Sequence, residues 1–189
     1  LVTGSHRSGS TWTGQVIAKA KNVRYIQEPF NIGDNKNDPP FSNWFEYLND
    51  APEIDQQKAR HYINSFNKIF HFNNFKKNLK FWPLKETYGF ILDIKQRITD
   101  RTIYKDPIAI MSAEWIFENY NWDIIVLIRH PAAFVASIKV KDWRFDFNNF
   151  LNQEKLMENY LFDYKDFIEV YSKNQKDIID QGILLWNTI

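Results

Sequence analysis

The residues that could do chemistry open the chain. Thr3-Gly4-Ser5-His6-Arg7-Ser8-Gly9-Ser10-Thr11-Trp12 brings two glycines, three serines, two threonines and a cation into ten positions, right after the apolar pair Leu1-Val2. Glycines let a chain turn tightly enough for several N–H groups to face one anion, and a helix starting at Ser10-Thr11 would add the partial positive charge of its N-terminus. The spacing G-x-x-x-x-G-S-T is that of a phosphate loop with Ser10 in place of the lysine. A nucleoside triphosphatase uses that lysine on the β- and γ-phosphates, so its absence counts against a triphosphate substrate; Arg7 supplies a cation instead. The same spacing also suits an ordinary Gly/Ser-rich strand-to-helix turn.

Three further places carry candidate chemistry. Glu28 follows the apolar stretch Val23–Gln27 and precedes Pro29, which holds it extended at a strand end. Open α/β sheets put their chemistry at such ends. Lys105-Asp106-Pro107 closes another strand on the same edge; Lys105 there is either a group that touches the reacting centre or a solvated strand-end lysine. The run Asp123–Ile128 ends in Arg129, where a magnesium-binding strand would end in aspartate, so phosphate is expected to meet a guanidinium. Ser137 lies six residues beyond Pro131, about 9 Å along a helix axis. Arg129 can fold back over that distance, so the two can share one phosphate. Taken singly, each also fits a surface arginine and a helix serine bonding its own backbone.

The elements that must position these groups read as alternating strands and helices. Trp12, Val16, Ile17 and Ala20 mark a helix face ending near Lys21-Asn22, followed by a strand over Val23–Gln27. Residues 31–52 are loop-like. Helical spacing returns from Glu53 to about Asn73 and from about Lys85 to Thr99, so residues 31–100 form a helical insertion near the mouth of the site. Its aromatics, Phe41, Trp44, Phe45 and Tyr47 among them, pack the core or line an acceptor groove. A strand over Arg101–Lys105 and a short helix over Ser112–Asn119 come next. The apolar run Ile124–Ile128 predicts a central parallel strand buried on both faces. Pro131 opens a helix to about Lys141, and the remainder is helical and amphipathic. The expected fold is α/β, a phosphate-loop-like three-layer α/β/α arrangement with a parallel sheet, in one domain over residues 1–189.

Composition narrows the function classes. With 189 residues, 44% of them hydrophobic, the chain has enough core for one domain. A formal net charge of +1 gives no global field for nucleic acid or an anionic membrane surface. No cysteine is present, which removes disulfides and thiolate metal sites and fits a reducing, cytoplasmic setting. No run of about 18 apolar residues spans a bilayer, and no signal-peptide pattern precedes Leu1. Helical spacing continues to Ile189 without a stop signal, so a truncated C-terminus is the expectation.

Taken as a set, the motifs resemble the sulfotransferases that use 3′-phosphoadenosine 5′-phosphosulfate (PAPS). His6-Arg7-Ser8-Gly9-Ser10-Thr11-Trp12 is similar to their 5′-phosphosulfate loop. Ile128-Arg129-His130-Pro131 through Ser137 is similar to their 3′-phosphate strand-loop-helix, with the same order and the same eight-residue step from arginine to serine. The resemblance covers residues 1 to about 140. It implies that Arg7, Ser8, Gly9, Ser10, Thr11 and Trp12 hold the 5′-phosphosulfate and that Arg129 and Ser137 hold the 3′-phosphate, without metal. Arg7 stands where many cytosolic members carry lysine, as in carbohydrate-type and bacterial members, and the later loop that closes over the 3′-phosphate is not found.

Sulfuryl transfer needs an in-line acceptor, a base for its proton and positive charge on the leaving phosphate. Glu28 is the expected base, since carbohydrate-directed relatives use an early glutamate. Arg7 and Lys105 are the expected cations. His61 and His71 on the insertion are rivals, and His130 is expected to bond locally. The product would be adenosine 3′,5′-bisphosphate and the acceptor a hydroxyl on a sugar or glycolipid rather than a phenol. Two other readings stand beside this one: a magnesium-dependent small-molecule kinase, for which Asp106 is the one weak metal-binding candidate, and a nucleotide-binding module without catalysis.

Overall fold

The computed structural model describes residues 1–33, 38–66, 95, 100–174 and 177–189. Four parallel strands form its sheet in the order β2-β3-β1-β4: β1 is Val2–Gly4, β2 Val23–Gln27, β3 Arg101–Lys105 and β4 Ile125–Leu127. Register runs from Val23 beside Arg101 to Gln27 beside Lys105, from Val2 beside Lys105, and from Val2 beside Ile125 to Gly4 beside Leu127. All four C-terminal ends therefore lie on one edge. Parallel strands need crossovers, and these are helices. The first is α1 (Ser10–Ile17). Next come α2 (Glu53–Ser65) and a 3₁₀ turn over Ile108–Ser112 continuing into α3 (Ala113–Tyr120), while α4 (Pro131–Lys141) follows β4, the last of the four strands.

Side-chain alternation along the strands sets the layers. Lys105 and Tyr25 face α1: a Cβ on Gly14 would lie 2.9 Å from Tyr25 Cε2 and 3.1 Å from Lys105 Cβ, so only glycine lets this helix sit so close. Tyr104, next along β3, faces the other way. It stacks on Trp122 at 4.4 Å and meets Phe66 edge-on at 6.0 Å. Helices thus cover both faces of a parallel sheet, the α/β architecture expected.

Beyond α4 the chain breaks into short pieces, α5 (Asn148–Leu151), α6 (Glu154–Asn159), a 3₁₀ turn over Phe162–Tyr164, α7 (Lys165–Lys173) and α8 (Ile178–Thr188). They wrap a largely aromatic core of Phe45, Phe134, Phe145, Phe147, Phe150 and Leu156. Phe45 and Tyr47 are buried there, so these loop aromatics serve packing. Gly182 brings α8 onto α4, where an added Cβ would lie 3.3 Å from Val135. No helix among the described residues is long and apolar enough to cross a membrane.

Three local expectations are corrected. The helix after the cradle ends at Ile17 instead of near Lys21-Asn22, because its last turn tightens and Asn22 adopts a positive φ of 59° on the way into β2. Its buried face is Ser10 and Gly14, while Trp12 and Val16 point outward. The apolar run before Arg129 is not a central strand: β4 lies at the edge of the described sheet, with Ile125 42% and Val126 48% exposed. Apolar composition records what a strand favours, whereas its burial depends on elements that arrive from elsewhere in the chain. The second insertion helix, from Lys85 to Thr99, lies outside the described residues apart from Lys95, which is helical, and so does the end of the first.

Gly4 is the tightest point of the sheet. It has φ 132°, and a Cβ there would fall 2.2 Å from the Leu127 carbonyl oxygen. Gly4→Ala is expected to cost about 2–5 kcal/mol, from overpacking against backbone plus the strained φ. Urea unfolding should show a lower midpoint at an unchanged m-value.

Candidate active site

β1 ends at Gly4 and the chain turns through residues 5–9 before α1 starts. Arg7 (φ 65°) and Gly9 (φ 99°) both sit in the left-handed region, which folds the loop back on itself. The Ser8 N–H donates to the Ser5 carbonyl at 3.1 Å, and the Thr13 N–H to the Gly9 carbonyl at 3.1 Å. The N–H groups of Ser10, Thr11 and Trp12, in the first turn of α1, have no intrahelical acceptor, and no acidic residue in that turn competes for them. Ser8 Oγ is shielded from solvent without a partner. A glycine turn, open helix N–H groups and an orphaned hydroxyl fit an oxyanion.

Beside this cradle, the Arg7 Nε–H donates to Ser137 Oγ at 2.9 Å, and an Arg129 N–H donates to the Arg7 carbonyl at 2.7 Å. Arg129 is itself held from behind, its carbonyl accepting from the Trp186 indole at 2.8 Å. Arg7, Arg129 and Ser137 thus form one cluster. Ser137 takes its hydrogen bond from Arg7, and Arg129 joins it through the Arg7 carbonyl. Trp12, at the head of α1, is 71% exposed.

On the other flank, at the ends of β2 and β3, Lys105 Nζ donates to Glu28 Oε1. Lys105 is 1% exposed, so the solvated-lysine alternative falls. Its ammonium is buried under α1 with Glu28 as its counter-ion. Glu28 is not in the extended conformation that the proline after it predicts: it occupies a left-handed φ of 48°, held by its N–H on the Lys105 carbonyl at 2.7 Å. Its other carboxylate oxygen accepts from Asn31 Nδ2 at 3.1 Å. A left-handed non-glycine residue costs on the order of 1–3 kcal/mol and persists only where its surroundings over-determine it. Tyr25 points its unpartnered hydroxyl into the same region, and burial together with the Glu28 charge pushes that phenol up.

A family model described as the sulfotransferase family matches residues 1–182. The chain belongs to the sulfotransferase family. No curated protein and no solved structure matches it. Membership makes the chain a transferase of sulfonate groups on an α/β fold. The match takes in every residue of the cradle, the Glu28–Lys105 pair and the Arg7–Arg129–Ser137 cluster.

Of His61, His71 and His130 in this sulfotransferase, two lie among the described residues. His130 caps α4, its Nδ1 accepting from the Ala132 N–H at 3.2 Å. His61 is on the exposed face of α2, and His71 lies outside the described residues.

Two residues named in the sequence take parts at the site that their positions do not reveal. His6 is buried in the cradle wall, its ring 4.0 Å from Trp143 and 5.2 Å from Phe134, with neither nitrogen partnered. Burial, reinforced by the Arg7 charge, pulls it down to about 3 from 6.5. Asp106 is fully buried, one oxygen accepting from the Phe30 N–H at 2.6 Å and the other from the Ile108 N–H at 2.9 Å. Burial pushes its carboxyl up to about 7 from 3.8, against the pull of those two N–H groups and Lys105.

The two shifts oppose each other in stability. Between pH 6.5 and 3 the unfolded chain protonates His6 and the folded chain does not, so this group lowers stability as pH falls, by about 1.4 kcal/mol per unit. Between pH 3.8 and 7 folded Asp106 holds a proton that the unfolded chain releases, so its contribution falls as pH rises. His6→Phe removes the first effect alone. Relative to the parent, the variant should gain about 2 kcal/mol on going from pH 7 to pH 5. Urea titrations of both proteins at the two pH values measure this, and an equal difference at both would mean that His6 charges in the fold.

Proposed function

We propose that this sulfotransferase moves the sulfonate of PAPS to a hydroxyl of a carbohydrate or glycolipid, with Glu28 as general base. The observation that carries the reading is that one cradle is flanked on one side by a buried ammonium paired with a carboxylate and on the other by two arginines, Arg129 bonded to the Arg7 backbone and Arg7 to Ser137. PAPS would supply an activated sulfonate on a phosphate leaving group. The cradle N–H groups and Ser8 Oγ bind the 5′ end. Arg7 meets the charge that develops on the leaving oxygen, while Arg129 and Ser137 bind the 3′-phosphate. Ser10 and Thr11 head the helix that aims its N-terminus at the same anion, and Trp12 offers an exposed ring face beside it.

Glu28 takes the proton of the acceptor hydroxyl on a carboxylate oxygen. Lys105 fixes the orientation of Glu28, and the ammonium remains beside the reacting groups as Glu28 takes up the proton. The acceptor assignment rests on the early strand-end glutamate, a feature the carbohydrate-directed relatives share. The kinase reading loses its one candidate carboxylate, because both oxygens of Asp106 are taken by backbone N–H groups.

Adenosine 3′,5′-bisphosphate is expected to stabilise the protein in EDTA. At a hundred times Kd the gain is about 2.7 kcal/mol, or a Tm rise of roughly 5–10 °C for a chain of this size. Adenosine 5′-monophosphate should do less, and Arg129→Ala should erase the difference. Stabilisation by ATP that requires Mg²⁺, with none by the bisphosphate, would favour the kinase. Radiolabelled PAPS offered to a panel of glycans, glycolipids and phenols then tests the acceptor class.

A further inference from the structure

Asp106 does more at this edge of the sheet than end a strand. The turn after β2 carries Glu28 and Phe30, the turn after β3 carries Asp106 and Ile108, and two hydrogen bonds tie the turns together while a third closes the second turn on itself. The Glu28 N–H reaches the Lys105 carbonyl at 2.7 Å. The Phe30 N–H reaches Asp106 Oδ2 at 2.6 Å, while Ile108 donates to Oδ1 of the same carboxylate at 2.9 Å. The Asp106 N–H is anchored in turn on the Val2 carbonyl at 2.9 Å, which ties the assembly to the strand that feeds the cradle. Glu28 holds a left-handed backbone that its own side chain does not favour, so something downstream must hold the turn closed. Asp106 is the group in contact with that turn two residues on. A fully buried carboxylate is costly unless its oxygens are satisfied, and here both are satisfied by the N–H groups of the two turns.

We propose that Asp106 is a positioning residue for catalysis: by clamping the Phe30 and Ile108 N–H groups it holds the turn that aims Glu28 and keeps its carboxylate on Lys105. The inference rests on the reading of Glu28 as the base, and it concerns what holds that base in place. Asp106 touches no substrate in this account. Its charged neighbours are Glu28 and Lys105, and it acts through them.

Asp106→Asn keeps one acceptor oxygen and turns an amide toward one of the two N–H groups, so one turn should open. A misplacement of about 1 Å at a reacting group costs on the order of 10²-fold in rate. The expected result is a kcat lowered by that factor, with the Kd for adenosine 3′,5′-bisphosphate and the acceptor KM unchanged within about threefold. In the Glu28→Gln background the same substitution should cost little further, because its route to the chemistry is already cut. An equal loss in both backgrounds would make Asp106 a general fold staple and overturn the proposal.

A second readout needs no acceptor. In protein labelled with ¹³C-glutamate, the Glu28 carboxyl resonance is identified by its loss in Glu28→Gln. Asp106→Asn should move the chemical shift of that resonance at fixed pH, because the carboxylate leaves Lys105 Nζ; an unmoved resonance counts against the clamp. Should Asp106→Asn not fold, replacing Phe30 by phenyllactate deletes only the Phe30 N–H and is read by the same resonance. Normal turnover in Glu28→Gln together with a shifted resonance would sink the base assignment and leave the clamp on Glu28 standing.

Discussion

Glu28→Gln is expected to lower kcat by about 10²–10⁴-fold, the usual worth of a positioned base, and to leave the affinity for adenosine 3′,5′-bisphosphate within about twofold. Glutamine preserves the size and the hydrogen bond from Asn31 Nδ2 but cannot take a proton. It also leaves the Lys105 ammonium, 1% exposed, without its counter-ion. That second effect makes a companion variant necessary. Lys105→Met removes the unpaired charge, so Glu28→Gln combined with Lys105→Met should recover the stability lost in Glu28→Gln without recovering turnover. Recovery of both would identify the defect as a buried charge and remove Glu28 from the proton transfer. The comparison uses isotope-labelled PAPS turnover beside urea unfolding of the same preparations.

Arg7→Ala should cost about 10²–10³-fold in kcat, comparable to deleting one donor to a developing oxyanion. A weaker hold on the donor should accompany it, since Arg7 sits in the turn and bonds Ser137 from the same guanidinium. Arg7→Lys separates charge from geometry. Lysine restores the positive charge but not the planar donor fork, so it should recover part of the lost rate. Full recovery would show that only charge is needed at this position. Ser137→Ala, which removes the hydroxyl that docks Arg7, should weaken bisphosphate binding and leave the Glu28–Lys105 pair intact. Binding that is indifferent to both Ser137→Ala and Arg7→Ala would dissolve the cluster as a nucleotide site.

These outcomes depend on contacts of very different sequence range. The cradle was legible residue by residue because a glycine turn between a strand and a helix is a local structure: Gly4, Gly9 and the helix start at Ser10 fall where spacing puts them. Glu28, Lys105 and Arg129 were legible as strand-end residues for the same reason, each following a short apolar run. Their partners were not. Lys105 meets Glu28 only because β2 and β3 are neighbours in a parallel sheet, and Arg7 reaches Ser137 across a separation of 130 residues. The roles proposed for these side chains go beyond what position alone establishes.

From composition and pattern alone came the α/β class, the crossover logic and the list of polar groups at one edge of a sheet, because each follows from short-range periodicity and turn chemistry. Tertiary structure alone decided that the apolar β4 is an edge strand and that Lys105 is a buried counter-ion rather than a solvated end. It also turned Asp106 inward to sew two turns together, and left His6 neutral against Trp143. Burial and electrostatic partnership are properties of the residues that surround a group, and those arrive from distant parts of the chain only once it folds.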